Sequence, residues 1–390
     1  MVDTADVIVV GAGVQGASLA FHLARKGARV LILERGTIAA GATGRSSGFV
    51  RMHYDLASDA RLAAASFRYF REWAERVGSG DCGFVRTGFV QLVPAGQEDA
   101  LRANVDMLEA LGIDTRVVGR DELERIVPGI AAQGVGAAAF EPLSGYADPA
   151  GTAAGFIGAA QKHGARLIQG CRVDDITVQG ERVSGVTTDR GAFAAPVVVD
   201  VAGAWAPRLA ETVGVAVPVV PWRHDTAFFG LPPSVPGGFP IVLDNENEVY
   251  FRPEGHDLML VGLETGNDVG GSPDRDLAPI STDTVALMAR RVCARVPWMI
   301  GGTFRTAHGG QDGITPDQRP ILGPAGPEGF FLACGFSGTG FKTAPAVGAA
   351  LAELILDGTA TTADIGSYGL ERFEQGRSLV GEHPYGALWR

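Results

Sequence analysis

Asp6-Val7-Ile8-Val9-Val10-Gly11-Ala12-Gly13-Val14-Gln15-Gly16, followed by Val30-Leu31-Ile32-Leu33-Glu34-Arg35, is the stretch that decides the fold. Residues 7–10 are an apolar run suited to a strand buried on both faces. Gly11, Gly13 and Gly16 then give the G-x-G-x-x-G of a strand-to-helix turn, with Val14 and Gln15 inside it. The first glycine permits the tight turn, the second lets backbone approach a pyrophosphate, and the third lets the helix pack on the strand. The helix N-terminus presents roughly +0.5 of an elementary charge to that phosphate. Glu34 ends the second strand eighteen residues past Gly16, where a carboxylate accepts hydrogen bonds from an adenosine ribose. An acid there argues against a 2′-phosphate, and Arg35 follows it on the same side of the turn.

Working outward, 390 residues suit two domains rather than one ordinary core. A formal net charge of −11 excludes nucleic acid as an expected partner and gives no attraction to an anionic membrane. No apolar run reaches the roughly 20 residues that span a bilayer. The first strand begins within seven residues of Met1, so no signal peptide is expected and the protein is expected in the cytoplasm. Cys82, Cys171, Cys293 and Cys334 form no C-x-x-C pair; neither zinc nor a disulfide framework is indicated, and no metal site is expected. Lysine occurs only at Lys26, Lys162 and Lys342, so a mechanism that needs a lysine has three candidates.

Helical periodicity is predicted over residues 17–26, 59–77, 98–111, 121–126, 152–163 and 344–356. Strands are predicted over 83–93, 165–169, 183–188, 196–201 and 330–334, with short Pro- and Gly-broken strands through 217–263. The expected fold is α/β, a Rossmann-like nucleotide domain with an inserted domain built on an antiparallel sheet. Its expected division is 1–82, 145–216 and 301–373 for the nucleotide domain, 83–144 and 217–300 for the substrate domain, and 374–390 as a tail.

Three further segments narrow the dinucleotide. Gly41-Ala42-Thr43-Gly44-Arg45-Ser46-Ser47-Gly48 offers amides and hydroxyls to a second face of a pyrophosphate or to a flavin edge. Asp200-Val201-Ala202-Gly203-Ala204-Trp205 makes a second small-residue turn. Gly335-Phe336-Ser337-Gly338-Thr339-Gly340-Phe341-Lys342 places a helix N-terminus where it can stabilise negative charge on a reduced isoalloxazine. Each alone also reads as a flexible loop. In this order, with Thr315-Pro316-Asp317-Gln318-Arg319-Pro320 before the last, the chain resembles the D-amino-acid-oxidase-like superfamily of FAD enzymes, on its sarcosine oxidase, dimethylglycine dehydrogenase and glycine oxidase side.

The resemblance runs from Asp6 to about Phe373. It implies a glutathione-reductase type FAD domain and the removal of hydride from a carbon beside an amine nitrogen, giving an imine that water hydrolyses. It also implies that Arg51 and Lys342 hold a substrate carboxylate, although an arginine there also reads as a surface ion pair. Tyr250 resembles an active-site tyrosine of glycine oxidases, or else is a core tyrosine. His224 resembles a histidine of dimethylglycine-oxidising relatives and is a candidate proton acceptor, or else a solvated loop histidine. His53 and His308 flank the segments expected around the flavin, and Cys334 ends a buried strand in a structural role. Val173 and Gly310 complete the expected cofactor contacts.

Departures from the family pattern shape the reading. Gly310 stands where monomeric sarcosine oxidases attach flavin through a cysteine, and Arg45 where dimethylglycine dehydrogenases attach it through a histidine. FAD is therefore expected to bind without a covalent link. The oxygen-activating lysine of monomeric sarcosine oxidases falls near Met259 or Leu260 here, which makes an acceptor other than oxygen credible. The expected activity is oxidation of the C–N bond of a small secondary or N-methylated amino acid, with oxygen or another acceptor. The alternatives are a 2-hydroxy-acid dehydrogenase, a flavin subunit of a larger dehydrogenase and a non-catalytic nucleotide-binding protein. A homo-oligomer or partner subunit is compatible with each. The stretch Gly145-Tyr146-Ala147-Asp148-Pro149 lacks the flavin-bearing histidine of heterotetrameric sarcosine oxidases, which weighs against the subunit reading.

Overall fold

The computed structural model describes residues 3–233, 235, 238–275 and 278–385; the last five residues of the expected tail, residues 1 and 2, and 234, 236, 237, 276 and 277 lie outside the described residues. Two large sheets organise the chain. The first has six strands in the order Arg166–Gln169, Val30–Glu34, Val7–Val10, Val197–Asp200, Phe330–Cys334 and Ile321–Pro324. All neighbours run parallel except the last pair. Val7–Val10 is buried along its length, as expected of a central strand covered on both faces.

Helix Val14–Arg25 follows the first strand and packs in one apolar cluster with the helices Pro149–Lys162 and Gly340–Asp357. Small residues line these helix faces, which lets the axes approach closely. Asp148 caps the helix Pro149–Lys162 by accepting from the Ala150 N–H at 2.9 Å, and Pro149 occupies the first turn, where no N–H is needed.

The second sheet has eight strands in the order Thr303–Ile314, Val220–Gly230, Leu258–Leu263, Val249–Glu254, Ile241–Asp244, Phe89–Pro94, Val135–Glu141 and Arg116–Val118. It is antiparallel except where Ile241–Asp244 runs parallel to Phe89–Pro94. Helix Thr282–Arg295 backs it through Met288 and Val292. A four-stranded sheet (Asp3–Thr4, Gly191–Ala194, Arg182–Thr188, Val173–Gln179) lies beside the six-stranded one. Among the described residues no helix is long and apolar enough to cross a membrane.

Several boundaries differ from expectation for physical reasons. The helix expected over 59–77 is two helices, Ala57–Arg71 and Trp73–Arg76, because Glu72 leaves the helical region. The last long helix starts at Gly340, four residues early, with Pro345 inside it. Ser66 compensates there: its hydroxyl donates to the Thr343 carbonyl at 2.9 Å and accepts from the Ala346 N–H at 2.9 Å. Strand Thr303–Ile314 pairs along its length with Val220–Gly230, so residues 303–314 extend the large sheet past the boundary expected at 301.

Candidate active site

One cavity of about 900 Å³ runs from the first glycine turn to the face of the eight-stranded sheet. Its dinucleotide end is built mainly from backbone. Gly11 has φ +114°, and a Cβ there would stand 2.8 Å from the Val201 carbonyl oxygen. At Gly16 a Cβ would collide with the Gly11 carbonyl, so the helix can pass this close only without a side chain. Glu34 is fixed by two amides: its Oε2 accepts from Ala12 at 2.8 Å and its Oε1 from Gly36 at 2.7 Å. That leaves its remaining lone pairs for a ribose.

The other predicted cofactor residues fall along the same wall. Gly13, Val14, Gln15, Arg35, Thr43 and Arg45 line the cavity. So do Ser46, Ser47, Val173, Ala202, Gly203 and Trp205. Gly310, Gly338, Gly340 and Lys342 complete the set. Thr43 accepts from the Val14 N–H at 3.0 Å, tying the second loop to the first helix. Gln15 donates to the Gly340 carbonyl at 2.7 Å, joining the first glycine segment to the last. Gly16, Gly44 and Thr339 do not line the cavity. Gly16 and Gly44 set backbone spacing against the carbonyls of Gly11 and Ala39, and the Thr339 hydroxyl donates to the Phe336 carbonyl at 2.7 Å.

At Gly310 a Cβ would lie 2.6 Å from the Cβ of Arg45, so the residues at the two expected attachment positions face each other, and neither can form a flavin–protein bond of the cysteine or histidine kind. Gln311, missed by sequence reasoning, also lines the cavity. It is buried, and neither end of its carboxamide has a protein partner among the described residues. A polar ligand filling the cavity would satisfy it. With the glycine turns, the acid for the ribose and the late helix N-terminus, the residues present fit an FAD.

The substrate end gathers side chains from distant segments. Arg51, Lys342, Tyr250 and His224 all line the cavity. Arg51 is 2% exposed, its guanidinium over the rings of Tyr54 and Phe89 at 4.6 and 5.3 Å from their centroids. Lys342 is 6% exposed and donates to the Gly338 carbonyl at 3.2 Å. Burial, and then the Arg51 charge, hold its ammonium well below the ordinary lysine range, while Asp312 pulls the other way. Asp312, also unforeseen, accepts from the amides of Gly338 at 2.7 Å and Gly313 at 2.8 Å, which binds the large sheet to the late helix turn.

Tyr250 pairs in register with Gly262, and its ring occupies the space a Cβ at 262 would need. It meets Phe49 edge-on at 5.4 Å. His224 stacks edgewise on Trp222 at 3.8 Å, and burial lowers its pKa to about 3. Burial thus favours its neutral form.

His308 does not line the cavity; it is half-buried beside Thr226, whose hydroxyl lies 3.3 Å from its Nδ1 and which does line it. His53 turns away as well, its Nε2 2.7 Å from the Tyr385 hydroxyl. Arg252 was not foreseen either: it donates to the Ser47 carbonyl at 2.6 Å and so holds the 41–48 loop against the large sheet. Its signal, one arginine in a strand, is too common to stand out. Among the described residues no His, Cys, Asp and Glu group could hold a metal ion.

Residues 6–354 match the family of FAD dependent oxidoreductases (DAO). The chain is 29% identical over 397 residues to human mitochondrial sarcosine dehydrogenase, covering 98% of this chain but 42% of that protein. It is 28% identical to the glycine oxidase of Geobacillus kaustophilus, covering 94% of this chain and 97% of that one. Among solved structures, L-proline dehydrogenase from P. horikoshii superposes with a TM-score of 0.89 at 25% identity, over 97% of this chain and 100% of that chain. The chain belongs to the FAD-dependent oxidoreductase (DAO) family, and its cofactor is FAD.

Proposed function

From that membership we propose that the chain oxidises the C–N bond of a small amino acid, a secondary or N-methylated one foremost. The observation that carries this reading is the meeting of Arg51 and Lys342, a buried guanidinium and a buried amine that a bound anion would hold protonated, in the cavity that also holds the dinucleotide turn. Two cations sharing a desolvated wall favour an anion between them, and a carboxylate fits as a fork of charge-assisted hydrogen bonds. Sarcosine dehydrogenase, glycine oxidase and L-proline dehydrogenase, the relatives named above, support an amino-acid substrate.

FAD, held by the glycine turns and Glu34, would supply the two-electron oxidising chemistry for a hydride from the carbon beside the nitrogen, with oxygen or another acceptor as the final oxidant. The chain's own residues supply binding and orientation. Arg51 and Lys342 fix the carboxylate, and the Tyr250 ring and Phe49 wall the pocket. His224, whose burial favours the neutral imidazole, lines the cavity and offers a hydrogen bond to the substrate amine. The resulting imine is hydrolysed by water to a carbonyl compound and the free amine. We propose non-covalent FAD, on the Gly310 and Arg45 pair.

The six-stranded sheet supports a cofactor domain over 1–82, 145–216 and 301–373 less residues 303–314, and the eight-stranded sheet a substrate domain over 83–144, 217–300 and 303–314. Four free cysteines support a reducing, cytoplasmic setting.

The test is the visible spectrum of the purified protein under anaerobic conditions as sarcosine, dimethylglycine, proline, primary D- and L-amino acids and 2-hydroxy acids are added in turn. Bleaching of the flavin band by a secondary or N-methyl amine supports the reading, and its return in air identifies oxygen as acceptor. Bleaching by hydroxy acids alone overturns it.

A further inference from the structure

After strand Leu258–Leu263 the chain leaves the eight-stranded sheet and crosses to the dinucleotide end of the cavity. Its path is pinned twice to strand Val220–Gly230: the Asp268 carbonyl accepts from the Arg223 N–H at 2.8 Å, and the Gly270 N–H donates to the Pro221 carbonyl at 2.7 Å. A turn at Ser272 then presents Asp274, whose own N–H donates to the Ser272 hydroxyl at 3.2 Å.

The Asp274 carboxylate gathers three donors from the six-stranded side. Arg35 reaches it at 2.8 Å, the Trp205 indole N–H at 2.6 Å, and Arg208 through its other oxygen. Arg208 also donates to the Ser272 hydroxyl at 2.9 Å, and the Arg35 guanidinium lies 3.9 Å over the Trp205 ring. Arg35, Trp205, Arg208 and Asp274 all line the cavity. Arg35 directly follows Glu34, the acid suited to the adenosine ribose. The clasp therefore stands over the nucleoside end and joins a segment of one sheet to three points around the other.

An exposed ion pair alone holds little. Here one carboxylate binds three donors on two separate segments, Arg35 on one and Trp205 and Arg208 on the other, and the hydrogen bonds from Arg35 and Arg208 hold it well below the usual carboxylate range.

We propose that Asp274 is a cofactor-retaining residue: segment 268–275 latches over the adenosine end of bound FAD, and its opening sets how fast FAD leaves. In a chain that holds its flavin without a covalent bond, such a latch does the retaining. The inference rests on the FAD reading of the site.

The experiment follows release of FAD from the holoprotein by the rise of free-flavin fluorescence after dilution, at low and high salt, for the native chain, Asp274→Asn and Asp274→Ala. Release about tenfold faster in Asp274→Ala, with Asp274→Asn between, is expected from the loss of roughly one strong charge-assisted contact. Salt should speed release from the native chain and have little effect on Asp274→Ala. Unchanged release, or equal salt acceleration in both, overturns the latch. Thermal unfolding of the apoproteins separates latch from scaffold: equal midpoints support it, and a fall in apo Asp274→Ala as large as in the holoprotein overturns it. A native protein that takes up no FAD removes the cofactor reading together with the latch.

Discussion

The two ends of the cavity are built on different principles. At the dinucleotide end, glycines and backbone amides do the shaping, and the contacts that fix Glu34 and the first helix lie within about thirty residues of sequence. At the substrate end, Arg51, His224, Tyr250 and Lys342 come from four segments that meet only through the tertiary fold. A backbone-built site is intolerant of added atoms and indifferent to most side-chain identities. A side-chain-built site tolerates change in the scaffold and depends on a few functional groups.

The hardest test of that contrast is Gly16→Ala. A single added carbon collides with the Gly11 carbonyl, with no flexible side chain to give way. Purified Gly16→Ala is expected to carry no flavin absorbance and to unfold well before the native protein. A yellow, stable Gly16→Ala protein would break the comparison at its root.

Arg51→Ala and Lys342→Ala probe the other side. Each removes a buried cation facing the carboxylate, worth about 2–3 kcal/mol, so KM for the amino acid should rise roughly 30- to 150-fold while the flavin spectrum is kept. Titration of the bleached fraction against substrate measures it. Unchanged KM in both variants would take them out of the substrate site.

The same contrast explains what the sequence disclosed. The first glycine turn, Glu34 and the six-stranded sheet were legible because strand, turn and acid follow at fixed spacing, set by the geometry of one βαβ unit. Lys342 stood out through the family resemblance and the scarcity of lysine, and it lines the cavity. Gln311 and Asp312 were not, since their place depends on how strand Thr303–Ile314 pairs with Val220–Gly230, and one residue of register would turn their side chains to the other face. That His224 lines the cavity while His308 sits behind Thr226, and how far each is buried, are likewise tertiary properties.

Burial of acids behind the substrate end sharpens the comparison further. Glu264 accepts from Asn245 at 2.8 Å, and Asn245 from Gln91, in a buried chain under the large sheet. Burial raises the Glu264 pKa from 4.5 to about 8. Between those values the folded chain keeps a proton that the unfolded chain has released, so stability falls as pH rises from 4.5 toward 8 and levels off above. Glu264→Gln keeps the acceptor and removes the titration. Its stability should gain on the native protein from pH 5.5 to 8 by about 3 kcal/mol, read as a rising difference in melting temperature. An equal pH slope in both would show that Glu264 ionises freely.

The finest division lies within one residue. Tyr250 lines the cavity, and its ring and hydroxyl both stand in the space a Cβ at Gly262 would take, so loss of the hydroxyl and displacement of the whole side chain are separable changes. Tyr250→Phe keeps the ring and should raise substrate KM about fivefold, the worth of one hydrogen bond, with the melting temperature nearly unchanged. Gly262→Ala keeps the tyrosine but forces its ring and hydroxyl aside together, and should raise KM at least as much while also lowering the melting temperature. If Tyr250→Phe leaves KM unaltered and Gly262→Ala still raises it, the tyrosine serves as a wall of the pocket, and the contrast between the two ends narrows to the carboxylate pair alone.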